Sequence, residues 1–106
     1  MLGEHQLLNA ATAIEVIKNS GISVKDKSIV AGLKNTTWKG RMTRVSENPL
    51  VYVDGAHNEQ AWKILKNTVN KYFTNRNIIY IIGVLRDKEY TKMIDILKST
   101  MSYAVT

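Results

Sequence analysis

The feature that most constrains the fold of this chain is an apolar run, Leu50–Val53, that stops abruptly at residues 54–58, Asp-Gly-Ala-His-Asn. An amphipathic pattern begins directly afterwards at Glu59. This order is typical of a buried strand that delivers polar side chains to the point where a helix begins. In open α/β sheets, ligands bind in the crevice beyond the carboxyl ends of the strands. The pattern therefore predicts an α/β fold with a functional loop at residues 54–58.

The rest of the chain alternates between helical and strand patterns. Two helices are predicted first, at 4–20 and 24–33, with Gly21 as a left-handed cap after the first. Later segments comprise strands at 41–46, 50–53, 77–84 and 101–105, and helices at 59–73 and 87–100. From residue 50 onward, strand and helix alternate, which predicts right-handed crossovers and a parallel sheet. Because the 77–84 run is apolar throughout, we expect helices on both faces of that sheet.

The predicted class is therefore α/β, with a mostly parallel sheet, helices on both faces and two preceding helices. The last predicted strand coincides with the end of the sequence, so we expect an incomplete sheet and a chain that is part of a longer protein. The two N-terminal helices belong to a different organisation. We place the domain boundary between residues 1–37 and residues 38–106.

The composition limits the class of protein. The 106 residues suffice for one core rather than two complete domains, and the absence of cysteine rules out disulfides and thiolate catalysis. No apolar run approaches the ~20 residues that span a bilayer. No export signal is evident either, so we expect no membrane partner and a cytoplasmic location. The net charge of +6 comes from scattered basic residues, which disfavours nucleic acid as a partner and leaves a small anionic ligand open.

Two side chains of the 54–58 loop are candidate ligand contacts. Asp54 could accept hydrogen bonds from a ribose hydroxyl or orient a metal-bound water, or it could cap the next helix. Asn58 fits the cap better, so a ligand role for Asp54 is favoured. His57 could contact phosphate, act as an acid or base, or bind a metal, and it could equally be a loop histidine bonded to backbone groups. The only other histidine, His5, is distant in sequence and gives no support to a metal site.

Basic residues stand near two of the predicted strands. Arg41 lies thirteen residues before Asp54, and its planar guanidinium suits phosphate oxygens, although a surface salt bridge is the simpler local explanation. Residues 83–88 repeat the pattern of a strand, a glycine and then charges before a helix. Asp87 is the expected cap there, whereas Arg86 and Lys88 could face an anion or solvent.

Motifs of independent catalysis are missing. Neither GxxxxGK[ST] nor GxGxxG occurs, and no nucleophile elbow is recognisable. We therefore assign no catalytic residue and no metal ligand in this chain. Trp38, Trp62, Met93 and Met101 are most simply packing residues.

Four segments in this order resemble the folylpolyglutamate synthases, which in many bacteria double as dihydrofolate synthases. They are residues 3–13 (Gly-Glu-His-Gln-Leu-Leu-Asn-Ala-Ala-Thr-Ala), 38–42 (Trp-Lys-Gly-Arg-Met), 54–58 and 83–88 (Gly-Val-Leu-Arg-Asp-Lys). These enzymes belong to the ATP-dependent Mur ligase superfamily. The resemblance covers nearly the whole chain, and the 54–58 sequence points to the folate branch.

The resemblance implies a place for the chain within a ligase. Residues 1–37 would be the helical tail of a central ATPase domain, and residues 38–106 the first part of a Rossmann-like C-terminal domain. Such ligases phosphorylate a folate or pteroate carboxylate with ATP, and the amine of L-glutamate attacks the acyl phosphate. The cofactors implied are ATP and Mg²⁺, with the metal ligands expected outside this fragment.

The resemblance also implies roles for individual residues. Asn9 should approach the adenine, Arg41 the ATP phosphates, and Asp54 the nucleotide. His57 should lie near the phosphates or the incoming glutamate, and Arg86 and Lys88 are further candidates for such contacts.

The chain also departs from the family pattern. Lys39 stands where family members have proline. The P-loop and the modified lysine of such ligases are absent from it, so we expect the fragment alone to be inactive. The alternatives are a stand-alone nucleotide-binding α/β module, or a module that dimerises through exposed sheet edges.

Overall fold

The computed structural model describes residues 2–85 and 89–106, and the chain divides into two compact units, Met1–Asp54 and Gly55–Thr106. The first unit contains α1 (His5–Asn19), α2 (Asp26–Asn35), β1 (Thr43–Glu47) and β2 (Leu50–Val53). The second contains α3 (Glu59–Tyr72), β3 (Ile79–Ile81), α4 (Tyr90–Leu97), a short 3₁₀ helix (Lys98–Thr100) and β4 (Tyr103–Val105). The helices of these described ranges are too short or too polar to cross a bilayer.

The first unit opens with the two predicted helices. α1 ends where Ser20 donates its backbone N–H to the Ile17 carbonyl, and Gly21 follows with a φ of +75°, the left-handed cap that the sequence predicted. Neither helix buries a side chain within the described residues. Leu7 and Leu8 of α1 are 72% and 73% exposed. The apolar spacing therefore predicts the positions of both helices correctly, although neither helix has a buried apolar face in the described residues.

A hairpin completes the first unit. β1 pairs antiparallel with β2 across the turn at Asn48-Pro49. The register pairs Glu47 with Leu50 and Thr43 with Val53, and it shifts by one residue at a bulge between Arg44 and Ser46. This pairing carries the end of β2 alongside the start of β1.

The second unit has a small core beneath a parallel strand pair. Trp62, Met93 and Leu97 are each at most 3% exposed and form the centre of that core. β3 pairs parallel with β4, in the order strand, helix, strand that the sequence predicted. Tyr80, between the outward-facing residues of β3, packs against the core. α3 and α4 therefore cover one face of the β3–β4 pair.

The α/β class is confirmed, and three details differ from the sequence predictions. β2 pairs with β1 instead of extending a parallel sheet, because a two-residue connection returns the chain antiparallel. The second face of β3 carries no covering helix in the described residues, and Ile79 and Ile81 are 66% and 86% exposed. Trp38, predicted to pack, is 68% exposed. The domain boundary expected between residues 37 and 38 stays a prediction.

Candidate functional site

A tight turn displays Arg41 just before β1. Gly40 has a φ of +77°, which glycine adopts without the penalty that a Cβ would bring. Its N–H donates to Thr43 Oγ1 at 2.9 Å, and the Arg41 N–H donates to the Trp38 carbonyl at 3.3 Å. Met42 follows with a φ of +45°, a left-handed conformation that costs about 1–2 kcal/mol for a residue with a Cβ. A turn held in this way requires a compensating contact.

Asp54 provides that contact. Its Oδ2 accepts a hydrogen bond from the Met42 N–H at 2.9 Å, and Asp54 itself is half-buried at the end of β2. Asn58, rather than Asp54, caps α3, so the capping alternative for Asp54 is wrong. The hairpin therefore joins the segments that contain Arg41 and Asp54 into one local structure.

The Arg41 and Asn9 side chains are both exposed. Asn9 lies on α1, where its Nδ2 donates to Gln6 Oε1 at 3.1 Å. Arg44, also exposed, pairs with Glu47 at 2.9 Å. Arg41 and Arg44 therefore provide two cations near the start of the same hairpin, one on the turn and one in an ion pair along the strand.

The loop that follows Asp54 begins the second unit. His57 Nδ1 lies 2.9 Å from the Gly55 carbonyl oxygen, and because a carbonyl only accepts, Nδ1 is the nitrogen that carries the proton. Asn58 Oδ1 accepts from the Ala61 N–H at 2.9 Å, which confirms the predicted cap of α3. His57 is exposed, so its Nε2 is the ring nitrogen available to a ligand.

Trp62 contacts the same loop. Its indole Nε1–H donates to the Ala56 carbonyl at 3.0 Å, while its ring is buried in the core of the second unit. The sequence indicates Trp62 only as a packing residue at a helical position. The hydrogen bond joins Trp62 to a loop residue six positions earlier in the sequence. The spacing of residues along a helix does not predict such a contact.

Charges at the start of α3 are arranged in a short pair. Glu59 lies in the first turn and accepts a hydrogen bond from Lys63, one turn further along the exposed surface. This hydrogen bond and the Lys63 charge lower the pKa of Glu59, which keeps the carboxylate ionised. A carboxylate in a first turn is favoured by the helix dipole.

Arg86 and Lys88, the remaining candidate contacts, lie outside the described residues. Within the described part of the chain, no three His, Asp or Glu side chains come together as a group able to hold a metal ion. Apart from Asn9 on α1, the described candidate residues therefore lie in two local structures, one in each unit. These are the 40–42 turn with Asp54, and the 55–58 loop with Trp62.

The turn with Arg41 lies beside the carboxylate at the end of β2. The loop with His57 follows it in sequence and leads into α3. These features occur in a chain whose domain family can be identified. The chain belongs to the family described as Mur ligase, glutamate ligase domain, which matches residues 40–106. The matched range includes Arg41, Asp54 and His57.

Over its whole length the chain is similar to dihydrofolate synthase/folylpolyglutamate synthase. It is 37% identical to the Bacillus subtilis protein over 99% of this chain and 25% of that protein. It is 34% identical to the Escherichia coli protein over 88% of this chain and 22% of that protein. The chain thus spans about a quarter of the length of the curated relatives that it matches.

Solved structures give the same likeness. A Mycobacterium tuberculosis folylpolyglutamate synthase complexed with ADP superposes with a TM-score of 0.89, at 28% identity, over 98% of this chain and 23% of that one. Escherichia coli FolC in complex with DHPP and ADP superposes with a TM-score of 0.85, at 33% identity, over 91% of this chain and 23% of that one. The likeness to folylpolyglutamate synthases that the four sequence segments indicated is confirmed.

Proposed function

We propose that this chain is part of an ATP-dependent ligase that adds L-glutamate to folate or dihydropteroate through an acyl-phosphate intermediate. The chain supplies part of the ATP and glutamate site and is inactive alone. The names of its relatives support this role, and solved relatives are complexes with ADP, with DHPP and ADP, or with AMPPCP and folate.

The observation that carries the proposal is the hydrogen bond from the Met42 N–H to Asp54 Oδ2. It joins a turn that presents a guanidinium to a strand end that presents a carboxylate. A guanidinium is always charged and pairs with two phosphate oxygens at once. A carboxylate accepts hydrogen bonds from ribose hydroxyls, as in nucleotide sites at strand ends. A nucleotide offers both partners in one molecule, which is why we assign Arg41 to the phosphates and Asp54 to the nucleotide.

His57, Asn9 and the basic pair after β3 have secondary roles in this proposal. His57 Nε2 contacts a phosphate or the incoming glutamate, since Nδ1 is bound to the Gly55 carbonyl. Asn9 approaches the adenine with its exposed amide. Arg86 and Lys88 remain candidate contacts for glutamate or phosphate.

Mg²⁺ belongs to the proposal as the partner of the ATP phosphates, whose charge it neutralises when bound. The described residues contain no group of three His, Asp or Glu side chains to hold it. Its ligands would therefore come from elsewhere in a longer protein. A cytoplasmic location is part of the same proposal.

Arginine substitutions in the full-length ligase test the phosphate contact. Loss of one charge-assisted hydrogen bond, at about 1.5–3 kcal/mol, corresponds to roughly a ten- to hundredfold change. We therefore expect Arg41→Ala to raise the KM for ATP by that factor with the fold intact. Arg44→Ala removes the same charge from an exposed ion pair of the same hairpin and is the matched control. Equal ATP kinetics for the two variants would contradict the assignment of Arg41.

A second candidate function is a dimerising module without catalysis. The observation that favours it is the exposed apolar face of the β3–β4 pair, formed by Ile79, Ile81, Tyr103 and Val105. Sedimentation of the 106-residue chain at high concentration separates the candidates, because a clean monomer argues against dimerisation. Glutamate-dependent ATP turnover by this chain alone, above a blank, would contradict the inactivity that we propose.

A further inference from the structure

We propose that Trp62 is a positioning residue for His57: its indole N–H holds the Ala56 carbonyl, which keeps the imidazole in its Nδ1–H tautomer with Nε2 available to an anionic ligand. The functional meaning of the available nitrogen rests on the proposed ligase function. The tautomer itself is a property of this chain and can be measured without any nucleotide.

The first step is the fixed end of the contact. Trp62 is 3% exposed and packs with Met93 and Leu97, so its ring is held in place. A buried indole has a single donor, and an unpaired donor in such a place is costly. Here that donor is bound to the Ala56 carbonyl at 3.0 Å. The core of the second unit therefore holds one point of the loop.

The second step is the peptide plane. The Ala56 carbonyl and the His57 N–H belong to one rigid peptide unit. Fixing the carbonyl therefore restricts the direction in which the His57 side chain leaves the backbone. Gly55 precedes this unit, and glycine has the widest choice of backbone conformations, so the loop needs a tether on its far side. Trp62 and the Asn58 cap provide that tether from the first turn of α3.

The third step is the imidazole. His57 Nδ1 lies 2.9 Å from the Gly55 carbonyl, which makes it the donor nitrogen. In the neutral ring, Nε2 then carries a lone pair, and in the imidazolium it carries a proton. The protonated Nε2 can donate to an anionic group, and the neutral Nε2 can accept from an amine. Both contacts require that the ring stays where the Gly55 contact holds it. Free imidazole side chains favour the opposite tautomer, so the loop must supply the preference.

A purely structural Trp62 would fill the core without setting the tautomer. Trp62→Phe keeps an aromatic ring in the core and removes the N–H. Trp38→Phe makes the same exchange at a residue that is 68% exposed and is the matched control. The chain has only two histidines, so His57→Gln assigns the ring signals without ambiguity.

The experiment is long-range proton–nitrogen NMR of the imidazole rings at about pH 8, where histidine is neutral. We expect wild-type His57 to be mainly the Nδ1–H tautomer. Because one neutral hydrogen bond is lost, the ratio of the Nδ1–H to the Nε2–H tautomer should fall about two- to tenfold in Trp62→Phe and stay constant in Trp38→Phe. An unchanged ratio in Trp62→Phe, or an Nε2–H tautomer in the wild type, would overturn the proposal.

Hydrogen exchange on the unmodified chain decides the case in which Trp62→Phe does not fold. The Trp62 indole proton should exchange far more slowly than that of Trp38, and equal rates would overturn the proposal. Neither measurement involves ATP. A failure of the ligase proposal would appear in the Arg41→Ala kinetics, whereas a failure of this proposal would appear in the tautomer ratio.

Discussion

Removal of the Asp54 carboxylate separates its structural role from the nucleotide role that we propose for the same residue. Asp54 Oδ2 accepts the Met42 N–H at 2.9 Å, and Met42 is only 9% exposed with a φ of +45°. Asp54→Ala therefore removes the acceptor of an amide in a strained, half-buried turn. Asp54→Asn keeps an oxygen acceptor of similar size and removes the charge.

The expected magnitudes follow from the kind of hydrogen bond. A hydrogen bond to a charged group contributes about 1.5–3 kcal/mol, and a neutral one about 0.5–1.5 kcal/mol. Since each 1.4 kcal/mol is about tenfold in an equilibrium constant, Asp54→Ala should speed exchange of the Met42 amide proton roughly ten- to hundredfold. Asp54→Asn should have an effect several times smaller. Glu47→Ala, which removes an exposed carboxylate from the same hairpin, should leave that proton unchanged.

The assay is amide hydrogen exchange of Met42, followed by ATP kinetics of the same variants in the full-length ligase that we propose. A Met42 exchange rate in Asp54→Ala within twofold of the wild type would refute the structural reasoning. If Asp54→Asn keeps the turn and raises the KM for ATP, the carboxylate contacts the nucleotide directly. If only Asp54→Ala affects ATP, the carboxylate acts through the turn that presents Arg41.

Two further predictions concern stability. A Cβ at Gly40 or Gly32 would meet nothing within 4 Å, so neither alanine variant introduces a clash. The two sites differ in the backbone conformation that the alanine must adopt. Gly40→Ala, at a φ of +77°, should lower the free energy of unfolding by about 1–2 kcal/mol. Gly32→Ala, within α2, should raise it by about 0.5–1 kcal/mol. Urea unfolding that changes this free energy in the same direction in both variants would contradict the reasoning. Burial raises the pKa of Tyr80, against an opposing hydrogen bond with Thr100. The stabilisation from its neutral phenol is present below about pH 10 and is lost as pH rises through the folded pKa. Urea unfolding at about pH 9 to 11 should show a smaller decline in Tyr80→Phe than in the exposed control Tyr103→Phe, and equal slopes would contradict this reasoning.

The elements of the fold were predictable because each has a strong local signal. Apolar spacing predicted the helices, and the apolar runs predicted the strands, with ends that moved by a few residues. The prediction that β2 joins a parallel sheet was wrong. The alternation of strands and helices shows their order along the chain, but it does not show which strands are neighbours in space. The short turn at Asn48-Pro49 indicates the observed pairing of β1 with β2, since a connection of two residues can close only an antiparallel pair.

The sequence shows which residue types the candidate site contains, and their roles stay predictions; it does not show the contacts that these residues make. The sequence indicates Asp54 and His57 because they follow an apolar strand, and Arg41 because it follows a glycine. Trp62 gave no such signal, because a tryptophan at a helical position is explained completely by packing. Its contact with Ala56 depends on the path of an irregular loop, which the one-dimensional pattern does not contain.

The bulge in β1 decides which residue faces Asp54. Between Glu47 and Ser46 the pairing follows one register, and between Arg44 and Thr43 it has moved by one residue, which leaves Val45 unpaired. Continuing the second register places Met42 opposite Asp54, as the hydrogen bond requires. Without the bulge, Thr43 would stand opposite Asp54, and the turn that carries Arg41 would begin one residue further from the strand end. Bulges often lie beside functional sites, where they redirect a side chain. In this chain the extra residue sets the position of the arginine turn against the carboxylate, which no property of Arg41 or Asp54 alone would reveal.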